Sequence, residues 1–343
     1  MLWEKHRRPT FELDVKRTFM HMAAASCAFV ISVLFLPITG GAMQIYPTRP
    51  ITIVVPYTAG GSSDVLTRIL ADRMRMTLGR PVIVDNVSGA TGRIGSEHVA
   101  RAAPDGYTLI AGSSSTHVVN GAVFAVKYDV IKDFEPIALL ADTPQLVVAR
   151  KTLPPNNLAE LIAWLKANPE KATQGTTGVG GTSHLAGVFF QKQTGTRFQF
   201  VPYRGTAMSD LIGGQIDLMI DQASNALPQV RSGAIKAYAV ASKKHLAEAP
   251  DIETADEAGL PGFHISVWHA FFAPKGTSKD VVSKLNEAVV EALGDPAIRA
   301  RLTDLGLDLF PREQQTPEAL AAFHRAEIEK WWPIIKEAGI TAE

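Results

Sequence analysis

Two short stretches of this 343-residue chain carry residue types suited to holding an anion. The first is Gly60-Gly61-Ser62-Ser63-Asp64, and the second is Gly180-Gly181-Thr182-Ser183-His184. In each, paired glycines permit backbone angles that other residues resist. The hydroxyl residues that follow are helix-cap and first-turn types, and Val65, Leu66, Ile69 and Leu70 continue the first stretch at helical spacing. A helix that begins there presents unpaired amides, and its dipole adds to their preference for negative charge. Two such turns point to one small acid gripped from both sides. The plainer alternative is that the glycines only turn the chain and Asp64 only complements a helix dipole.

Other chemistries fit these residues less well. Gly178-Val179-Gly180 would need glycine at 183 for a dinucleotide fingerprint, and Ser183 stands there. No Gly-Lys-Ser/Thr phosphate loop occurs. Ser113, Ser114 and Ser115, with Ser183 and His184, offer hydroxyls and an imidazole to a secreted hydrolase. Gly-x-Ser-x-Gly and His-Glu-x-x-His are absent, however. Ser183 and His184 are also neighbours at a helix start, where side chains diverge. No catalytic residue, metal site or cofactor is therefore expected. Ser113 and Ser115 follow a strand's C-terminal end, where open α/β sheets place ligands; a polar cap on the next helix is the alternative. His117 reads as structural. Arg93 is the only basic residue in the helix-start loops, either a carboxylate clamp or an exposed side chain.

The elements that must position these residues alternate between strand and helix. Ile51, Ile53, Val54 and Val55 form the β-branched apolar run of a strand covered on both faces, and Pro56 stops it. Residues 81–86 and 107–111 read as the next strands, with a glycine-rich helix start at 88–95 between them. Residues 134–140 and 145–149 are two further strand-like runs. Pro154-Pro155-Asn156-Asn157 precedes a helix with Leu158, Leu161, Ile162 and Leu165 on one face. Strands at 172–175, 198–203, 216–220 and 235–241 then alternate with helices, a second α/β unit with its own sheet. Residues 267–272 are a strand-like crossing. Three helices finish the chain, with Asp295-Pro296 as cap and first position of the second. Trp331-Trp332, on the last, is expected to pack against the first domain.

Composition is that of a globular protein, 46% hydrophobic and 20% charged, with 34 Lys+Arg against 34 Asp+Glu. No basic stripe occurs, so nucleic acid is excluded as a partner. The N-terminus departs from this pattern. Lys5, Arg7, Arg8, Lys16 and Arg17 precede an apolar run over 23–38, and Gly40-Gly41-Ala42 follows. A basic region, an apolar core and a small-residue site make a secretory signal peptide, with cleavage expected after Ala42. An uncleaved anchor is the alternative, and translation could begin at Met20. Cys27 is the only cysteine and lies in the leader, so the mature chain has no disulfide and no thiolate. Removing 1–42 leaves 29 basic against 31 acidic side chains, a net charge of −2. Such a protein must bind an anion through local geometry.

Several pieces resemble one family when taken together. They are Tyr46-Pro-Thr-Arg-Pro-Ile, Pro56-Tyr-x-x-Gly60-Gly61-x-x-Asp64, Pro104-Asp-Gly-Tyr107-Thr-Leu, Ser183-His184-Leu-Ala-Gly187, Val201-Pro-Tyr203-Arg-Gly205, Gly214-Gln-Ile-Asp217-Leu-Met, Glu257-Ala-Gly-Leu-Pro-Gly262 and Ala273-Pro-Lys-Gly276-Thr. In this order they resemble the substrate-binding proteins of tripartite tricarboxylate transporters, also called Bug receptors. The resemblance implies an α/β, two-lobed periplasmic binding protein of the Venus-flytrap, type II-like kind. Each lobe would be a mixed sheet flanked by helices, with two crossover strands near 140–147 and 262–270. It implies a signal peptide at 1–42, a discontinuous first lobe at 43–142 and 266–343, and a second lobe at 143–265.

The same resemblance implies a ligand carboxylate held by backbone amides and ordered waters, with no obligatory arginine. Tyr57, Gly60, Gly61, Ser62 and Asp64 enter the site from the first lobe, beside Ser113 and Ser115. Thr177, Gly178, Gly180, Thr182, Ser183 and His184 enter from the second. Asp221 resembles a cleft-facing position that selects an amine or another polar ligand group; a solvated strand end is the alternative. The implied function is that of a periplasmic, monomeric, non-enzymatic receptor for a small organic acid. Dicarboxylates, tricarboxylates, amino acids and aromatic acids all suit it. Its partner is a membrane permease or, alternatively, a sensor without its own permease. The chain departs from the family pattern at Thr58-Ala59, where proline commonly precedes the glycines, and at Arg93, where an uncharged amide is frequent.

Overall fold

The computed structural model describes residues 46–337 and 339–341. The leader and its expected cleavage site lie outside those residues. The strands are β1 Ile51–Val55, β2 Val82–Asn86, β3 Thr108–Ser113, β4 Phe134–Arg150, β5 Thr173–Thr176, β6 Gln199–Pro202, β7 Leu218–Gln222, β8 Ile235–Val240, β9 Ser266–Pro274 and β10 Asp308–Leu309. The helices are α1 Ser62–Leu78, α2 Arg93–Ala100, α3 Asn120–Val123, α4 Leu158–Ala167, α5 Thr182–Thr194, α6 Met208–Gly213, α7 Ala223–Arg231, α8 Lys279–Gly294, α9 Pro296–Asp304 and α10 Pro317–Glu337. None of the described helices is long and apolar enough to cross a membrane.

Strand order is β2-β1-β3-β9-β4-β7-β5-β6, with β8 and β10 also pairing β4. β1, β2 and β3 run parallel, while β9 lies antiparallel between β3 and β4. β5, β6 and β7 form a second parallel group, and β4 pairs antiparallel with β7. Both groups are therefore mixed sheets, joined through β4. Apolar side chains cover both faces, as parallel strands require. Ile51, Ile53 and Val55 pack with Leu66, Leu70 and Met74 of α1 and Leu285 and Val289 of α8. Val54 and Ile110 pack on the other face with Val99, Trp268 and Leu320. Around the second group, Leu158, Leu161 and Leu165 of α4 meet Phe190, Phe198 and Phe263 on one side. Leu211, Ala223 and Leu227 cover the other.

β4 is one strand of 17 residues, where the hydrophobic runs predict two. The intervening Asp142, Thr143 and Pro144 stay extended because β9 supplies partners: Asp142 faces Trp268, Thr143 faces Val267 and Pro144 faces Ser266. Pro144 has no amide to donate, and it stands where β4 changes partners. From Gln145 onward the strand pairs with β7 and β8. The return passage lies alongside. The Gln145 amide donates to Ile265 O at 3.1 Å, and the Ile265 amide donates to Ala241 O at 3.0 Å. β9 then starts at Ser266 beside the first group. The chain thus passes between the two groups at 144/145 and at 265/266.

Candidate functional site

The two glycine turns are near copies in backbone angle. Gly60 has φ +82° and Gly180 has φ +75°, values that favour glycine. The next residues are extended, Gly61 at φ −77°, ψ 170° and Gly181 at φ −73°, ψ 163°. Each precedes a helix whose first turn has no side-chain cap, α1 after Gly61 and α5 after Gly181. Helical bonds begin with the Val65 amide on Gly61 O at 3.0 Å and the Leu185 amide on Gly181 O at 2.9 Å. Amides ahead of those bonds have no acceptor within the helix, which suits them to an anion.

One side chain braces each turn from four residues downstream. Asp64 Oδ2 accepts the Gly60 amide at 2.8 Å, and His184 Nδ1 accepts the Gly180 amide at 3.4 Å. Asp64 is buried and also receives Arg68 and the Asn86 amide group, at 3.0 Å each. Burial alone raises its pKa, but the bonds from Arg68, Gly60 and Asn86 outweigh that and hold it below the ordinary value. Burial pushes the His184 imidazole down, which keeps Nδ1 free to accept. Both side chains therefore shape the loops from behind.

The turns open on a common cleft of about 890 Å³. Among the residues singled out in sequence, Tyr57, Gly60, Gly61, Ser62, Ser113, Ser115, Thr177, Gly178, Thr182, Ser183 and Asp221 line it. Asp64, Gly180 and His184 do not. Gly180 instead touches the opposite half, where a Cβ would come within 2.7 Å of Val123 and 2.8 Å of Phe124. Hydroxyls fix several lining positions. Tyr57 Oη and Ser113 Oγ are 2.9 Å apart, and Ser183 Oγ accepts the Thr177 amide at 2.9 Å. Asp221 is buried at the end of β7 instead of solvated. Its Oδ1 accepts the Gln222 amide at 2.9 Å, and burial raises its pKa to about 6.

His117, read as structural, and Arg93, read as a clamp or an exposed side chain, both lie outside the cleft lining. His117 is fully buried, stacked on Phe272 with centroids 4.2 Å apart, and bonded through Nδ1 to Thr116 Oγ1 at 2.9 Å. Burial depresses its pKa strongly. Arg93 lies over the Phe124 ring at 3.8 Å and donates from Nε to Ala90 O, away from the cleft. The lining extends beyond the expected site residues to Ser88–Gly92 of the glycine-rich helix start, to the 202–206 loop with Arg204, which overlaps the Val201–Gly205 piece, and to Gln145, Gln222 and Asn225, which no motif marked. Arg204 is exposed and is the single cationic side chain lining the cleft among the described residues.

Direct bonds bridge the halves around this cleft. Ser224 donates to Ser62 Oγ at 2.7 Å, and Ser115 and Thr182 hydroxyls are 2.6 Å apart. His269 links Ser63 through Nδ1 at 3.4 Å with Gln222 through Nε2 at 3.2 Å. At one flank Val123 and Phe124 pack with Leu185, Ile335 and Ile340. Trp332 Nε1 donates to Val118 O at 3.0 Å. The arrangement offers a cleft with amide-rich helix starts on both sides.

Comparison with known proteins agrees with that reading. Residues 66–340 match the family described as Tripartite tricarboxylate transporter family receptor. The periplasmic binding protein BugD is 40% identical, superposes with a TM-score of 0.83, and is matched over 87% of this chain and 100% of its own. MatC from Rhodopseudomonas palustris, solved with bound malate, is 39% identical with a TM-score of 0.81, over 84% of this chain and 100% of its own. Another R. palustris protein, solved with adipate, is 33% identical with a TM-score of 0.82, over 87% of this chain and 100% of its own. The chain therefore has the α/β periplasmic binding protein fold and belongs to the tripartite tricarboxylate transporter receptor family, a family of solute receptors and not of enzymes.

Proposed function

We propose that this receptor captures a small carboxylate-bearing solute between residues 57–64 and 177–183 and delivers it to membrane permease subunits. The observation that carries this reading is the pair of uncapped helix starts, of matching backbone geometry, that open on one cleft. The carboxylate would take its bonds from those amides, directly or through water. Tyr57, Ser62, Ser113, Ser115, Thr182 and Ser183 would complete the wall. Malate and adipate in the two R. palustris relatives support an organic acid as the ligand class. Residues 43–142 with 266–343 would act as one lobe and 143–265 as the other, hinged at the two passages. The basic-then-apolar leader supports export to the periplasm. Contacts made only between closed lobes are what allow a ligand to shift the balance towards closure.

A thermal-shift panel of small carboxylates and neutral analogues tests this directly. A true ligand at ~100 times its Kd adds ~2.7 kcal/mol of stability. Gly61→Val is the matching site variant. Gly61 has an ordinary φ, and a Cβ there meets only Thr58 O, at 3.7 Å. The fold should survive while the added bulk covers the amides, so the shift should vanish. Neutral compounds shifting the melting point while no acid does would overturn the assignment.

A further inference from the structure

Gln222 ends β7 on the wall of the cleft, and its carboxamide is held at one atom only. Its Oε1 lies 3.2 Å from His269 Nε2. A carboxamide oxygen accepts and never donates, so Nε2 is the protonated ring nitrogen. His269 Nδ1 is then an acceptor, and the Ser63 hydroxyl donates to it at 3.4 Å. His269 is 2% exposed and does not line the cleft, whereas Ser63 and Gln222 do. Burial lowers the His269 pKa to about 4, so the ring is neutral near pH 7 and can accept at Nδ1. The imidazole thus sits behind the wall and sets which way the Gln222 carboxamide turns. With Oε1 taken, the two N–H groups of Gln222 Nε2 remain. Among the described residues nothing accepts from them, and this nitrogen is not sealed as Gln145 Nε2 is. A donor left open on the wall of a cleft, with its other end locked from behind, is placed to meet an acceptor.

We propose that Gln222 contacts the solute, with Nε2 donating to a carboxylate oxygen, and that His269 is the positioning residue that keeps the carboxamide in this orientation. This rests on the carboxylate reading above and adds a side-chain donor to the amides of the helix starts. The same imidazole holds Ser63 in the first turn of α1, so one ring links the first helix start to the wall formed by β7. The opposite carboxamide orientation, with the other imidazole tautomer, would turn Oε1 towards the acid and set acceptor against acceptor. Without His269 the carboxamide is free to rotate. A donor fixed in advance loses less freedom on binding than a mobile one.

The test is titration calorimetry on the mature protein, with the small carboxylates of the thermal-shift panel as probes, malate and adipate among them. For the acid that binds most tightly, Gln222→Met should weaken binding about tenfold, the loss of one charge-assisted bond. Gln222→Glu has the same shape but only accepts, and should weaken it further. His269→Phe should weaken binding severalfold, and His269→Gln, whose Nε2 can stand in for the ring donor, should recover part of that loss. Because His269 acts through Gln222, the double variant Gln222→Met, His269→Phe should bind no more than about twofold worse than Gln222→Met alone. Melting curves report which variants fold, and the two Gln222 variants, on the cleft wall, decide the contact even if His269→Phe does not. Wild-type affinity in Gln222→Met, or tighter binding by Gln222→Glu, overturns the contact. Losses that multiply in the double variant overturn the positioning role. Silence from every acid is a different failure, since it removes the carboxylate reading itself.

Discussion

Ser115 and Thr182 bring their hydroxyl oxygens to 2.6 Å across the cleft, one from the segment after β3 and the other from the first turn of α5. Ser62 and Ser224 repeat the relationship from α1 to α7 at 2.7 Å. The same residues line the cleft or begin its helices, so under the proposed function closure and ligand contact would draw on one set of groups. Thr182→Ala and Ser224→Ala should each weaken closure. One hydrogen bond contributes about 1 kcal/mol net, so each change should raise the open-to-closed ratio about fivefold. Small-angle scattering of the ligand-free protein measures this as a larger radius of gyration. An unchanged radius in the double variant would contradict it.

Asp64 supports the first glycine turn without entering the cleft. Asp64→Ala should lower stability by about 1–3 kcal/mol, because a buried carboxylate with charge-assisted bonds is lost. It should also weaken acid binding by letting the Gly60-Gly61 turn relax. The sign with pH follows from the lowered pKa. The carboxylate's contribution is present above the unfolded value near 3.8 and is lost as pH falls through the folded one. Urea unfolding of wild type and variant should therefore differ at pH 7 and converge in strong acid.

Asp221 shows the reverse behaviour. Its pKa is raised to about 6 by burial, so the folded state holds a proton that the unfolded state releases above about 3.8. The native state loses stability as pH rises from about 4 to about 6, and the loss is complete above that. Asp221→Asn should consequently stabilise the ligand-free protein at pH 7, by up to about 3 kcal/mol. The gain should disappear below about pH 4. Equilibrium unfolding at the two pH values checks both statements. A destabilised variant at pH 7 would mean that the Oδ1 bonds outweigh the desolvation.

Much of this architecture is legible in residue order. Apolar β-branched runs end in glycine turns, and hydroxyl residues then open helices, so strand, loop and helix follow from local chemistry. Asp295-Pro296 starts α9 as its types require, with Asp295 Oδ1 accepting the Ala297 amide at 2.9 Å. What sequence misplaces depends on the third dimension. Asp64 and His184 share a register with lining residues, but the helical turn swings them behind the loop. Arg93 follows its glycine loop as a clamp would, yet Phe124 holds the guanidinium elsewhere. Gln145 carries no motif, and the 202–206 loop is marked only as part of the family resemblance; the pairing of β4 with β7 and of β5 with β6 is what brings both to the wall. β4 reads as two strands because a proline usually ends pairing, whereas here it marks the change of partners.

The most direct measurement is a crystal structure of the mature protein grown with the acid that gives the largest thermal shift. The predicted result is a carboxylate between the two glycine turns, its oxygens about 3 Å from amides within 61–64 and 177–183 or joined to them by single waters. Ligand density outside that chamber, or a carboxylate held by Arg204 with the helix starts unengaged, would contradict the account.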